Sequence, residues 1–181
     1  MGKGTTLMHP EARKGLARQL AASGLSLDAP WRVLDLGGRD INGQIRDLLP
    51  AAKWTGLDIE PGPGVDLVHD ATQPWPDGWD RYDVVVCTEV LEHVEQWAAL
   101  LRTASQALEP GRPELLLVTC ASTGRPVHGA SGAPLPEPGE WYANVPPQVL
   151  GERLQELFRD VTVEYRALPG DAYARAVGVV R

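Results

Sequence analysis

The chain has 181 residues, 43% of them hydrophobic and 23% charged, with a net charge of −7. That length suits one domain, residues 1–181, with a sizeable core, and the composition is globular and not disordered. The acidic balance disfavours a nonspecific grip on nucleic acid, without excluding it, and on an anionic membrane surface.

Two cysteines, Cys87 and Cys120, lie inside apolar runs, which predicts buried free thiols in a reducing cytoplasm. No apolar run reaches membrane length and no signal peptide precedes Trp31. The expectation is a cytoplasmic protein without a membrane partner.

Met8 to Ala22 carries Leu16, Leu20 and alanines on one side and Arg13, Lys14 and Arg18 on the other. This spacing predicts an amphipathic helix, stopped by Gly24, that covers an end of the sheet or part of a ligand cleft. Val33, Leu34 and Leu36 form a short apolar run of the kind a strand buried on both faces shows. It leads through Asp35, Gly37 and Gly38 into Ile41 to Leu49, spaced as a short helix. Strand, glycine turn and helix is the arrangement that brings backbone to a nucleotide-like ligand. The dinucleotide pattern G-x-G-x-x-G is missing, since Gly37-Gly38-Arg39-Asp40 does not fit it.

Lys53 to Ile59 reads as a second strand ending at Asp58. An acid there, about 20 residues beyond the glycine turn, is placed to accept the hydroxyls of a ribose. After the helix-breaking Glu60-Pro61-Gly62-Pro63-Gly64, Val65 to Val68 gives a third strand, followed by Asp70 and Ala71. Asp70 either hydrogen-bonds an adenine amino group or caps the turn before Thr72. Gln73 to Arg81 lacks helical period, so the usual crossover helix is missing there.

Tyr82 to Cys87 is a fourth buried strand, followed by Thr88-Glu89-Val90-Leu91-Glu92-His93-Val94 and a helix to Leu108. Pro110-Gly111 ends that helix, and Glu114 to Cys120 is the fifth strand. Residues 121–147, rich in glycine and proline and containing His128, Trp141 and Tyr142, form a long connection. Connections of that length in a compact domain act as lids or binding loops. A helix over 149–158 and two strands, 161–166 and 172–180, close the chain.

With the strand-end acids placed, the chain resembles a class I S-adenosylmethionine-dependent methyltransferase of the small type with a Leu-Glu-His-Val run. The resemblance rests on Asp35-Leu36-Gly37, Asp58, Asp70-Ala71, Tyr82-Asp83-Val84-Val85 and Glu89-Val90-Leu91-Glu92-His93-Val94. It implies a Rossmann-like, doubly wound α/β fold with a mostly parallel seven-stranded sheet and an antiparallel C-terminal strand. It also implies S-adenosylmethionine as cofactor, S-adenosylhomocysteine as product and a small-molecule acceptor methylated at O or N. Cofactor contacts fall to Asp35, Gly37, Gly38, Asp58, Ile59, Asp70, Ala71 and Thr88, with Asp58 on the ribose and Asp70-Ala71 at the adenine. Arg39 and Ile41 stand where the family's glycine pattern has glycine, and Asn42-Gly43 follows instead.

The methyl group of such a cofactor is already activated, so a general base is needed only for some nucleophiles. The candidates are Glu89, His93 and His128. Glu89, Glu92 and His93 are spaced i, i+3, i+4 and share a face if the helix starts early enough. No metal is assigned to them. A divalent metal on these residues, with His128 as a further ligand and a ribose or catechol-type hydroxyl as acceptor, is the alternative. The bland reading has Glu92 and His93 satisfying backbone groups at the helix start. A third reading is a cofactor-binding protein without transferase activity.

Overall fold

The computed structural model describes residues 10–41 and 45–181. Its elements in order are α1 (Pro10–Ala22), β1 (Arg32–Leu36), β2 (Lys53–Asp58), β3 (Leu67–Val68), β4 (Val84–Thr88), α2 (Trp97–Ala107), β5 (Leu115–Ala121), α3 (Pro147–Gln155), β6 (Phe158–Arg166) and β7 (Asp171–Val179). The strands form one seven-stranded sheet in the order β3-β2-β1-β4-β5-β7-β6. β1 to β5 are mutually parallel, while β7 runs antiparallel to both its neighbours, β5 and β6. This is the doubly wound α/β architecture the sequence implies, with the antiparallel strand inserted between β5 and β6.

The apolar runs of β1, β4 and β5 are continuous because both faces of the sheet are covered, and the period of two still sorts them. Val33, Val84, Val86, Leu115 and Leu117 face one side, where Leu16 and Leu20 of α1 meet Ile45 and Leu49. Leu34, Leu36, Val85, Cys87, Leu116, Val118 and Cys120 face the other, under α2 and α3. Both cysteines are buried and unpaired, and burial pushes their thiols well above the usual value. Gly15 lets α1 lie directly on Tyr173 of β7, since a Cβ there would sit 2.0 Å from the ring. Arg18 lies over the same ring and pairs with Glu164 at 3.0 Å. α1 therefore packs on the sheet face across β5 and β7.

Two expected elements shrink. The helix anticipated from Ile41 to Leu49 is a single 3-10 turn, Arg46–Leu48; Ile41 is exposed, and residues 42–44, with the Asn42-Gly43 pair, lie outside the described residues. The helix anticipated from Val94 begins only at Trp97. Between β3 and β4 the described chain holds turns and no helix, as the aperiodic 73–81 stretch implies.

Candidate functional site

Strand order reverses between β1 and β4, and the chain after β1 packs Ile45 and Leu49 on one side of the sheet while that after β4 packs Leu100 and Leu101 on the other. In open parallel sheets, ligands bind in the crevice beyond the carboxyl ends of the strands at such a switch point. A cavity of about 390 Å³ occupies that crevice, and its walls come from successive strand ends. Gly37 follows β1, Leu57, Asp58 and Ile59 end β2, and His69, Asp70, Ala71 and Thr72 follow β3. Val90, His93, Val94, Glu95 and Gln96 follow β4, and Leu100 reaches in from α2. A volume of this size suits a drug-sized or nucleoside-sized ligand, for which roughly 300–1,000 Å³ is usual.

The β1 turn is built by close approach. Gly37 has φ of +77°, and a Cβ on it would meet Val90 Cγ2 at 2.3 Å. Gly38 is held for a different reason: its Cβ would meet the Asp35 carbonyl oxygen at 2.8 Å and the Gly56 Cα at 2.9 Å. The N–H groups of Gly37 and Gly38 both donate to the Leu57 carbonyl, at 2.8 and 3.0 Å. They extend the ladder toward β2 and are already committed. Arg39, at a position where the family has glycine, pairs with Glu60 beyond β2.

Of the residues expected at the cofactor, Gly37, Asp58, Ile59, Asp70 and Ala71 border the cavity, and Asp35, Gly38 and Thr88 are not among its lining residues. Asp58 Oδ1 accepts the Glu60 N–H at 3.1 Å. Asp70 Oδ1 accepts from both the N–H and the hydroxyl of Thr72, at 2.9 and 2.7 Å. Those two bonds hold its carboxyl below the ordinary carboxylate range. Asp70 thus caps its turn and borders the cavity at once; the two readings of it coexist. Asp35 is buried, and desolvation lifts its pKa to about 7 against the attraction of Arg46. His69 also borders the cavity, with Nε2 buried and unpartnered. No residue pattern in the sequence distinguishes it from any histidine after a strand.

Glu89, Glu92 and His93 do not share an α-helical face, because α2 starts four residues beyond His93. Glu89 instead turns the chain after β4 with φ of +55°, a region uncommon for a residue with a Cβ. Its Oε1 accepts the Thr119 hydroxyl at 2.9 Å. Leu91–His93 form a 3-10 turn, which sends the Glu92 carboxylate inward to accept the Ala121 N–H at 3.0 Å. Burial raises both carboxyls; next in importance, the charge of Asp171 acts on Glu89 and that of Glu89 on Glu92. His93 is depressed to about 4 by burial and by His128.

The 121–147 connection is tied to the strand ends and carries His128 to this cluster. Ala143 N–H donates to the Glu92 carbonyl at 2.9 Å and Val145 N–H to the Ala121 carbonyl at 3.0 Å. Tyr142 packs on both rings, 5.5 Å from His93 and 4.9 Å from His128 between centroids, whereas Trp141 is 44% exposed.

Comparison with known proteins bears on the domain as a whole. A protein family described as a methyltransferase domain matches residues 7–161. The chain belongs to that family. That agrees with the methyltransferase resemblance carried by the strand-end acids. Among solved structures, the fold matches the DhpI–S-adenosylhomocysteine complex with a TM-score of 0.64 at 20% identity, covering 93% of this chain and 85% of that one. It matches the Burkholderia thailandensis 1,6-didemethyltoxoflavin N1-methyltransferase, solved with its acceptor and S-adenosylhomocysteine, with a TM-score of 0.65 at 16% identity, covering 94% and 79%. The plantazolicin methyltransferase BpumL, also with S-adenosylhomocysteine, gives 0.65 at 14% identity, covering 93% and 85%. No curated protein matches the chain. Among the described residues no helix is long and apolar enough to cross a membrane.

Proposed function

We propose that this methyltransferase transfers the methyl group of S-adenosylmethionine to an oxygen or nitrogen of a small-molecule acceptor, releasing S-adenosylhomocysteine. The observation that carries the reading is the convergence of Gly37, Asp58 and Asp70-Ala71 on one cavity at the switch point. Its size and chemistry fit the cofactor: two carboxylates, an apolar wall from Leu57, Val90 and Leu100, and backbone approach at a residue without Cβ. Small-molecule acceptors are in keeping with the toxoflavin-precursor enzyme among its structural neighbours.

In this assignment Asp58 accepts the ribose hydroxyls, Asp70 and Ala71 meet the adenine, and Gly37 lies along the methionine portion. Ile59, 67% exposed, covers the adenosine when it is seated. Asp35, Gly38 and Thr88 shape the site from outside its lining: Gly38 seats the turn on β2, and Asp35 holds a carboxyl under it. The cofactor supplies an activated methyl group on a sulfonium, so the protein's contribution is alignment and exclusion of water. Alignment alone supplies up to ~7–11 kcal/mol.

Where the acceptor must lose a proton, Glu89 is the better base. Burial lifts its carboxyl to about 7, though it is not among the residues lining the cavity, whereas His93, which does line it, is depressed to about 4 and accepts a proton poorly. His93 and His128 then orient the acceptor.

Calorimetric titration with S-adenosylhomocysteine and with NAD tests the reading. We expect the first to bind and the second not. Asp58→Ala is expected to weaken S-adenosylhomocysteine by about 100-fold, the loss of two charge-assisted hydrogen bonds at ~1.5 kcal/mol each. Unchanged affinity in that variant, or binding of NAD alone, refutes the assignment.

A further inference from the structure

The base assignment leaves Glu92, His93 and His128 with more chemistry than it uses. One donor atom from each lies within 4.8 Å of the others. Glu92 is fully buried, and while its Oε1 takes the Ala121 N–H, its Oε2 is buried with no partner. His93 Nδ1 is likewise buried with no partner. Leaving such atoms unsatisfied costs roughly 1–3 kcal/mol each, so a pair of them in one cluster is a place where a ligand belongs.

The histidines are also set in the protonation state a cation requires. His128 Nδ1 lies 3.1 Å from the Pro126 carbonyl, which can only accept, so that nitrogen carries the proton and Nε2 keeps its lone pair. His93 Nδ1, buried without a partner, is the nitrogen open on that ring. Metal-ligating histidines are held as His128 is, with the second ring nitrogen donating to a carbonyl. Charge points the same way. The charged groups facing Glu92 are Glu89 and Arg125, and Arg125 is engaged with Asp171 at 2.6 Å. Packing of His93, His128 and Tyr142 explains why the rings meet edge to face, but it leaves the two open atoms unexplained.

We propose that Glu92 Oε2, His93 Nδ1 and His128 Nε2 bind a divalent first-row transition cation. Two imidazoles and one carboxylate suit zinc, cobalt or iron better than magnesium or calcium, which favour all-oxygen shells. Bonds of about 2.0–2.2 Å place donor atoms roughly 3.5 Å apart, so the cluster tightens by about 1 Å, with the 121–147 connection supplying the movement. Three protein ligands leave coordination positions open. His93 also borders the cofactor cavity, so an acceptor hydroxyl coordinated there sits beside the methyl donor. This consequence for the acceptor rests on the methyltransferase reading; the metal site itself does not.

The test is titration of tag-free, chelator-stripped protein with Co(II) alone, read by its visible d–d absorption. One equivalent should saturate the band. His128→Ala, in the connection and away from the core, and Glu92→Gln, which keeps the acceptor for Ala121, should each weaken cobalt at least 10-fold. S-adenosylhomocysteine affinity of His128→Ala and of stripped wild-type protein, measured by calorimetry, should stay within about twofold. Absence of a cobalt band, or a band that persists unweakened in His128→Ala, overturns the site. Wild-type protein that binds S-adenosylhomocysteine but no cobalt refutes the metal alone. Cobalt retained with S-adenosylhomocysteine failing to bind refutes the cofactor reading alone.

Discussion

Asp35 makes stability depend on pH in a way a single isosteric substitution isolates. The carboxyl is 5% exposed, and desolvation carries its pKa from 3.8 to about 7, with Arg46 opposing and Asp58 adding to the rise. A folded-state value above the unfolded one means the folded protein keeps a proton the unfolded chain has released. Stability therefore falls as pH climbs from about 4 to about 7 and levels off above. At 1.36 kcal/mol per pKa unit, the cost is roughly 1.7 kcal/mol at pH 5 and roughly 4 kcal/mol at pH 8. Asp35→Asn removes the titration and keeps the shape. The variant should thus gain about 2–3 kcal/mol on wild type between pH 5 and pH 8, whatever the offset between them at pH 5. Urea unfolding at the two pH values reads this as a relative midpoint shift of about 1 M, for a slope near 2 kcal/mol/M. Parallel pH profiles for the two proteins would refute the burial argument. Subtraction cancels the other buried carboxyls, Glu89 and Glu92, provided they titrate independently of Asp35.

Gly37→Ala combines the left-handed backbone cost with overlap on Val90. Urea unfolding should show a loss of about 2–4 kcal/mol, of which the Val90→Ala background recovers the overlap part and not the backbone part; full stability in the single variant would refute the close approach. Arg125→Met strands Asp171, a buried carboxylate then left with the Tyr173 hydroxyl at 3.0 Å. Removing one partner of a buried pair costs about 3–5 kcal/mol, and a loss under ~1 kcal/mol at pH 7 would show that the pair is not the principal support of Asp171.

The parallel strands were legible because their code is redundant. A strand covered on both faces needs apolar side chains at every position, so Val33-Leu34, Val84-Val85-Val86 and Leu115 to Val118 announce themselves without any knowledge of partners. Acids at Asp58 and Asp70 were legible for the converse reason, since a carboxylate closing such a run marks where the chain leaves the sheet. Local elements held by side chains distant in sequence were not legible. Ile41 to Leu49 has helical spacing, yet Ile45 and Leu49 reach the core from one 3-10 turn, and Arg46 is drawn off to the Gly64 carbonyl at 2.9 Å. The two glycines after Asp35 look equivalent in sequence, but Gly37 is fixed by the distant Val90, and Gly38 by the nearby Asp35 carbonyl together with the distant Gly56.

The Glu89-x-x-Glu92-His93 run shows how correct spacing can carry the wrong geometry. Helical periodicity predicts one shared face, which would put all three side chains against a common ligand. The chain breaks that periodicity after β4 with a left-handed residue and a 3-10 turn, and the break separates their duties. Glu89 turns to Thr119 on β5, while Glu92 is driven inward beneath the Ala121 N–H. His93 stays at the cavity wall. What reunites Glu92 and His93 is His128, which local spacing alone cannot place. Its position follows from backbone hydrogen bonds made later in the connection, from Ala143 to Glu92 and from Val145 to Ala121. The Glu92, His93 and His128 cluster is thus written in the return path of a long loop, and the cavity lining in the strand ends.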